Sequence, residues 1–202
     1  MKRVQHFLDY AATQEPAVTT YRASDMVLAI HSDAGYLSEE GARSLVGGHH
    51  FLSKNVANPS NNSAIYNKAS IIKSVMSSAA EAKIGALYIN ARKGVKERNI
   101  LEEMGHTQPP TPVQMDNSTA DGIINLRVQP KCTKAMDMRF CWLRDRGVNQ
   151  KQFKFYWRPG TLMQADYWTK HHPPSHHRNM RSEILTPYKV VLDLRRKMAK
   201  MQ

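Results

Sequence analysis

Runs of apolar and β-branched residues in the first part of the chain are separated by polar, turn-forming segments, which is typical of β-strands. A short helical start, MKRVQHFLDYAATQ, places Val4, Phe7 and Leu8 at helical spacing. The turn SEEGAR and the loop NVANPSNNS separate the later runs. We therefore predict strands in four segments, the last three as an antiparallel meander: AVTTYR, MVLAIHSDAGY, SLVGGHHFLS and AIYNKASII.

The pattern then changes to a helical period. In SSAAEAKIGALYINARKGV, Ile84, Leu87 and Tyr88 share one apolar face, and Ser77 or Ser78 can cap the first turn. Further helices are predicted at VKERNILEEMG, STADGIINLR, TKAMDMRFCWLRDRG (ended by Gly147) and LMQADYWTKHH, with short strands at PVQMDNS and QFKFYWRPG. The order β-β-β-α-α-β-α-α-β-α predicts an α/β fold in which helices pack on a mixed sheet.

Charge suggests a partner for this fold. The formal net charge is +12, and the segment from Lys131 to Arg158 alone has eight basic residues against two acidic ones. A solvated helix face is the ordinary interpretation of such a segment. The overall excess of positive charge and the nearby aromatic residues favour a surface that binds nucleic acid instead. These aromatic residues are Phe153, Phe155, Tyr156 and Trp157.

The remaining composition narrows the class of protein. A hydrophobic fraction of 41% with 23% charged residues is typical of a folded globular chain. No apolar run reaches the roughly 20 residues of a membrane span, and the acidic residues near the start are unlike a signal peptide. Cys132 and Cys141 lack metal-binding spacing. We expect an intracellular protein, cytoplasmic or nuclear, with reduced thiols and no membrane partner. The segment HHPPSHH is interpreted as exposed tail, not as a metal site.

Three aspartates lie at the starts or ends of predicted elements: Asp33, Asp116 and Asp166. A single aspartate in such a place is usually a turn former or a helix cap. Three together are the hard oxygen ligands that Mg²⁺ requires. Two such ions about 4 Å apart can activate water and stabilise the leaving oxygen of a phosphodiester.

Several segments, in the same order, resemble the ribonuclease H region of Ty1/copia-type retrotransposon polyproteins. LAIHSDAGY resembles the first catalytic strand, and GGHHFLS the second strand. SSAAEAKIGAL resembles the box S-S-x-x-E-A-E, QMDNSTA the box M-D-N-x-x-A, and ADYWTKHH the box A-D-x-x-T-K-x-L. PKCTKAMDMRFCWLRDR resembles R-T-K-H-I-D-I-R-Y-H-F-I-R, and MKRVQHFLDYAA is similar to the end of the preceding reverse transcriptase region. The likeness runs from about Met1 to His172.

The resemblance implies a ribonuclease H-like fold with a mixed five-stranded sheet flanked by helices. It also implies hydrolysis of the RNA in RNA–DNA hybrids with two divalent ions, Mg²⁺ or Mn²⁺. Matched by motif, Asp33, Asp116 and Asp166 would be the catalytic and metal-binding carboxylates. Residues 1–24 would be a remnant of the reverse transcriptase region, 25–172 the ribonuclease H-like domain and 173–202 a basic, partly helical tail.

Lys83 stands where the family has its metal-binding glutamate. Near Asp33 and Asp116, a lysine would form an ion pair and occupy the place of a metal. Glu81 would not replace the missing ligand unless a rare π-bulge re-aimed it, because two residues along a helix turn a side chain by about 200°. The alternative is a register displaced by two residues, with Lys83 on the surface. If Lys83 does replace the glutamate, we expect an impaired site.

The resemblance also implies an RNA–DNA hybrid or other nucleic acid as the partner, together with an upstream reverse transcriptase region in an intact element. Phosphate or base contacts are predicted at Asn117, Lys134, Arg139 and Arg146. Asn117 is equally typical of a helix cap. Two functions stay open, an impaired hybrid ribonuclease and a catalytically dead nucleic-acid-binding relic. An integrase core fits less well, because no Asp-Asp-Glu order is present.

Overall fold

The protein is described by a computed structural model that covers residues 2–14, 16–118, 122, 134–160 and 163–199. The chain forms two compact units. The central unit is Ala23–His172, and the terminal unit combines Met1–Arg22 with Pro173–Gln202. The predicted helix STADGIINLR (118–127) lies largely outside the described residues.

The central unit is built on a five-stranded mixed sheet. Its strands are β2 (Val27–Glu39), β3 (Arg43–Ser53), β4 (Ala64–Ile71), β5 (Thr111–Met115) and β6 (Phe153–Trp157). Across the sheet they lie in the order β4-β3-β2-β5-β6, with β2 in the middle. The pairs β2–β3 and β3–β4 are antiparallel, as predicted for the meander. The pairs β2–β5 and β5–β6 are parallel. The predicted fold class, a mixed five-stranded sheet flanked by helices, is confirmed.

One long helix, α2 (Ala79–Glu103), packs on this sheet. The sequence pattern predicted two helices there, and that division is wrong. Gly94 does not break the helix. A Cβ at position 94 would lie 2.7 Å from Ile30 Cδ1, so the missing side chain lets α2 approach β2 closely. The buried core between them includes Leu28, Ile30, Leu87, Val113 and Phe153.

The basic helix and the last core helix differ from their predictions. Helix α3 (Lys134–Arg144) continues into a π-helical turn, Asp145–Asn149, so Gly147 does not end it. The predicted helix LMQADYWTKHH is a short 3-10 helix, Gln164–Trp168. The Thr169 N–H bonds to the Asp166 carbonyl, three residues back, which is the tighter pattern of a 3-10 turn.

The terminal unit contains helix α1 (Lys2–Thr13) and a two-stranded antiparallel sheet of β1 (Ala17–Thr19) with β7 (Leu185–Pro187). It also contains α4 (Pro174–Ile184) and α5 (Tyr188–Ala199). The segment AVTTYR therefore forms a strand, but one outside the five-stranded sheet. Among the described helices of both units, none has the length and apolar character needed to span a bilayer.

Candidate functional site

Three carboxylates converge at one edge of the central sheet. Asp33 lies on β2, and Asp116 directly follows β5. The two strands pair in parallel with His31 level with Gln114, and continuing this register two residues further brings Asp33 level with Asp116. Asp166 is supplied by the 3-10 helix. One carboxylate oxygen of each aspartate lies within 4.8 Å of those of the other two.

Close packing between strands β2 and β3 and the segment 165–169 holds Asp33 and Asp166 in these positions. Thr169 Oγ1 donates to Asp33 Oδ2 and also to the Asp166 carbonyl, the latter over 3.1 Å. Gly47 lies opposite Asp33 on β3, and a Cβ there would come within 2.5 Å of the Ala165 carbonyl oxygen. The glycine therefore lets the 3-10 helix rest on the sheet. Sequence reasoning did not assign Thr169 a role, although it stands in the segment ADYWTKHH beside Asp166.

Lys83, near the start of α2, reaches into the same cluster. Its ammonium donates hydrogen bonds to Asp33 Oδ1 and, over 2.7 Å, to Asp116 Oδ1. The Lys83 side chain is 16% exposed and that of Asp33 is fully buried. The structure thus places Lys83 between two of the aspartates, not on the open surface.

Two opposing effects act on the pKa of Lys83. Burial lowers it, because removal from water disfavours the charged form. The charges of Asp33 and Asp116, and the hydrogen bonds that Lys83 donates to them, outweigh burial and raise the pKa of Lys83 above its ordinary value. Lys83 is therefore a cation at neutral pH, held by two carboxylates.

Glu81 takes part in the N-terminal cap of α2 and not in the carboxylate cluster. Its carboxylate accepts hydrogen bonds from the backbone N–H of Ser77, over 2.6 Å, and from the Ser77 hydroxyl. The Glu81 N–H in turn donates to Ser78 Oγ over 3.1 Å. These hydrogen bonds cap the first turn of α2, and they hold the Glu81 carboxylate at Ser77 and not at the aspartates. Glu81 therefore adds no fourth carboxylate to the cluster of Asp33, Asp116 and Asp166.

Three carboxylates whose oxygens lie within 4.8 Å of one another are a donor set that can hold a divalent cation. Two ions about 4 Å apart would need Asp33 and Asp116 as ligands. Those two carboxylates are already bound by the Lys83 ammonium, which repels a second cation. Asp166 is also paired, with Lys170 one helical turn later. The residues present therefore do not fit a two-ion site.

The predicted nucleic-acid contacts are spread over several places. Arg139 donates to Ser74 Oγ over 2.6 Å. Arg146 donates to Gln150 and Gln152 and lies over the Trp142 ring. Asn117 adjoins Asp116 and is half-buried. The side chain of Lys134 lies outside the described residues. The structure therefore gives Arg139 and Arg146 separate protein partners.

Comparisons with known proteins gave only structural likeness. No family model and no curated protein matches the chain. Among solved structures, LC11-RNase H1, isolated from compost by a metagenomic approach, is 14% identical with a TM-score of 0.49, over 71% of this chain and 92% of that one. The N-terminal ribonuclease H domain of a Mycobacterium tuberculosis protein is also 14% identical, with a TM-score of 0.48, over 71% and 91%.

A second structure of LC11-RNase H1, in complex with an RNA/DNA hybrid, is 14% identical with a TM-score of 0.45, over 70% of this chain and 92% of that one. Identities this low assign no activity to the present chain.

Proposed function

We propose that the central unit is a ribonuclease H-like nucleic-acid-binding domain that holds RNA–DNA hybrid and cleaves it weakly or not at all. The observation that carries this proposal is the hydrogen bonding of the Lys83 ammonium to both Asp33 and Asp116. An internal cation in that position takes the charge-compensating role of a metal ion. It cannot activate a water or bridge two ions, so the hydrolytic step loses its main source of assistance.

The proposed origin is the ribonuclease H region of a Ty1/copia-type retrotransposon, with residues 1–24 from the end of the reverse transcriptase region. The sequence boxes around Asp33, Asp116 and Asp166 support this origin, and so does the convergence of the three aspartates. In an intact element, the reverse transcriptase region would supply the hybrid.

Charge supports nucleic acid as the partner. The whole chain carries +12, and neutralisation of phosphates by lysine and arginine is the main source of non-specific affinity for nucleic acids. A hybrid has a shape close to A-form, so it would be recognised through its phosphates and 2′-hydroxyl groups and not through base sequence. Several basic side chains of the central unit are exposed, among them Arg144, Lys151, Lys154 and Lys170.

One experiment tests binding and cleavage separately. The purified chain and its Lys83→Glu variant are mixed with a labelled RNA–DNA hybrid in Mg²⁺, and both anisotropy and RNA release are recorded. We expect both proteins to bind the hybrid and only the variant to release RNA at a measurable rate. Adding Asp33→Asn to the variant is the control and should abolish release. No hybrid binding by the unmodified chain would refute the proposal.

A second candidate function is a working hybrid ribonuclease, favoured by the convergence of the three carboxylates within 4.8 Å. In that case Mg²⁺ would displace Lys83, and the unmodified chain would release RNA. That release would disappear in Asp116→Asn. Equal release from the unmodified chain and the Lys83→Glu variant would favour this candidate over the first.

A further inference from the structure

A groove separate from the carboxylate cluster runs between strand β4 and helix α2. It encloses a cavity of about 280 Å³. Its polar and charged walls are formed by Lys68, Ser70, Lys73, Ser74, Tyr88 and Arg139. Its apolar lining, which we call the floor, consists of Ile71, Ile72 and Ile89. We call this the β4–α2 groove.

The position of β4 explains why the groove is open. This strand is the outer strand of the sheet next to β3, so nothing in the described part of the sheet pairs with its other edge. Its residues alternate between half-buried and exposed, and Lys68 and Ser70 are among the half-buried ones. They therefore share the face of β4 on which Tyr66 contacts the buried His50 ring. That face is directed toward α2.

Arg139, on α3, is held in place by two other residues that line the groove. Its guanidinium donates to Ser74 Oγ over 2.6 Å and lies 6.0 Å from the centre of the Tyr88 ring. Arg92 lies over the same ring at 5.5 Å. An arginine fixed in this way loses little side-chain freedom when it binds an anion, which favours binding.

The charge of the groove is of one sign. Among the described residues that line it, three are basic and none is acidic. Lys93, next along the same side of α2, lies 4.7 Å from the centre of the Tyr66 ring. Closely spaced basic groups around an apolar floor attract a ligand that carries repeated negative charge together with apolar surface.

The groove and the carboxylate cluster both border the first half of α2. Gly85 lies two residues after Lys83, and a Cβ there would be 3.7 Å from Arg139 Nη1. Two residues along a helix point in nearly opposite directions, so the groove and the cluster lie on different sides of the start of α2. The excess of positive charge over the whole chain, +12, favours nucleic acid as the occupant of the groove.

We propose that the β4–α2 groove binds the sugar–phosphate backbone of a single nucleic-acid strand. The inference rests on the proposed function in one respect, that the partner is nucleic acid. Lys68, Lys73 and Arg139 contact phosphates, and the isoleucine floor contacts the sugars. The site is distinct from the carboxylate cluster and needs no metal ion.

The test uses a fluorescent oligothymidylate and the full chain, without divalent ions, over a range of salt concentrations. The groove variant is Lys68→Gln/Lys73→Gln. The control is Lys54→Gln/Lys197→Gln, which removes the same charge from two exposed lysines, one after β3 and one on α5. The slope of log affinity against log salt concentration becomes shallower by about 0.7 for each phosphate contact that single-strand binding loses. We expect the groove variant to bind oligothymidylate several-fold more weakly, with a slope shallower by about 1.4. The control variant should keep the slope of the unmodified chain.

Equal losses in the two variants would overturn the proposal, because they would indicate general attraction by net charge. Preferential binding of poly-glutamate over oligothymidylate by the unmodified chain would also overturn it, in favour of an acidic peptide. Photo-cross-linking with 4-thiothymidine should label peptides that contain Lys68 or Tyr88.

Binding of the RNA–DNA hybrid is measured in parallel. If the unmodified chain does not bind hybrid, the proposed function is refuted. If the groove variant binds both hybrid and oligothymidylate normally, only the proposal about the groove is refuted.

Discussion

The Lys83 ammonium donates a hydrogen bond to the Asp116 carboxylate over 2.7 Å, which joins the start of α2 to the end of β5. Asp33 accepts a second hydrogen bond from the same ammonium. A cation carried by the chain thus balances two of the three carboxylates at this edge of the sheet. The consequences concern metal binding, stability and pH.

Replacing Lys83 by glutamate should make the stability of the protein depend on a divalent cation. The variant places four carboxylates together, which repel one another until a cation binds. We expect saturating Mg²⁺ to raise the Tm of Lys83→Glu by about 5 °C, equivalent to on the order of 2 kcal/mol. Lys83→Gln is the control, since it removes the cation without adding a ligand. A Tm of Lys83→Glu that Mg²⁺ leaves unchanged would contradict the placement of residue 83 within the cluster.

The same ion pair predicts a loss of stability in alkali. The pKa of Lys83 is raised in the folded protein, since the pairing with Asp33 and Asp116 outweighs burial. Its stabilising contribution is therefore fully present below the ordinary lysine pKa of about 10.4, and it is lost as pH rises through the higher folded value. Urea unfolding at increasing pH should show a steeper fall above about pH 10 for the unmodified chain than for Lys83→Met. Parallel curves for the two proteins would contradict this assignment.

His31 should make the protein sensitive to acid. Burial, followed by the charges of His49, Arg158 and His50, lowers the pKa of His31 to about 3. The unfolded chain binds the proton more readily, so stability falls as pH drops from about 6.5 toward 3, by on the order of 4 kcal/mol.

His31→Asn removes this titration and keeps an acceptor near the Gln164 N–H, which bonds to His31 Nδ1 over 3.2 Å. Urea unfolding of this variant between pH 6 and pH 4 should show a flatter pH dependence than the unmodified chain. An unchanged slope would show that another group is responsible.

Gly47→Ala should disturb the carboxylate cluster by pushing against the 3-10 helix that carries Asp166. The added methyl group would meet the Ala165 carbonyl and Thr169 Cγ2, both in the segment that carries Asp166. We expect a loss of about 2 kcal/mol in the free energy of unfolding, as for other overpacked sites. In the Lys83→Glu background, the Mg²⁺-dependent rise in Tm should also shrink. A variant as stable as the parent would show that the 3-10 helix can move away at little cost.

The spacing of apolar residues was sufficient to predict those strands and helices that depend only on neighbouring residues. Alternating apolar runs predicted the meander β2–β3–β4, and the spacing around Ile84 and Leu87 predicted the start of α2. The position of Lys83 relative to Glu81 also followed from helix geometry alone. These properties depend on the periods of helices and strands, which are already present in the order of the residues.

Longer-range features needed the folded chain. The stretch around Gly94 was predicted as two helices, and only the close approach of Gly94 to Ile30 shows why one helix continues through it. The pairing of β1 with β7 joins segments far apart in sequence, which no local pattern specifies.

The sequence by itself determined which residue types are available to the site: three aspartates, Lys83 near the start of a predicted helix, and an excess of positive charge. Only the tertiary structure decided that Lys83 bonds to Asp33 and Asp116, that Thr169 supports Asp33, and that Arg139 faces a groove beside β4. The physical reason is that side-chain contacts between distant elements depend on sheet register and helix packing. Both are settled by burial of the whole core and not by the neighbours of each residue in the chain.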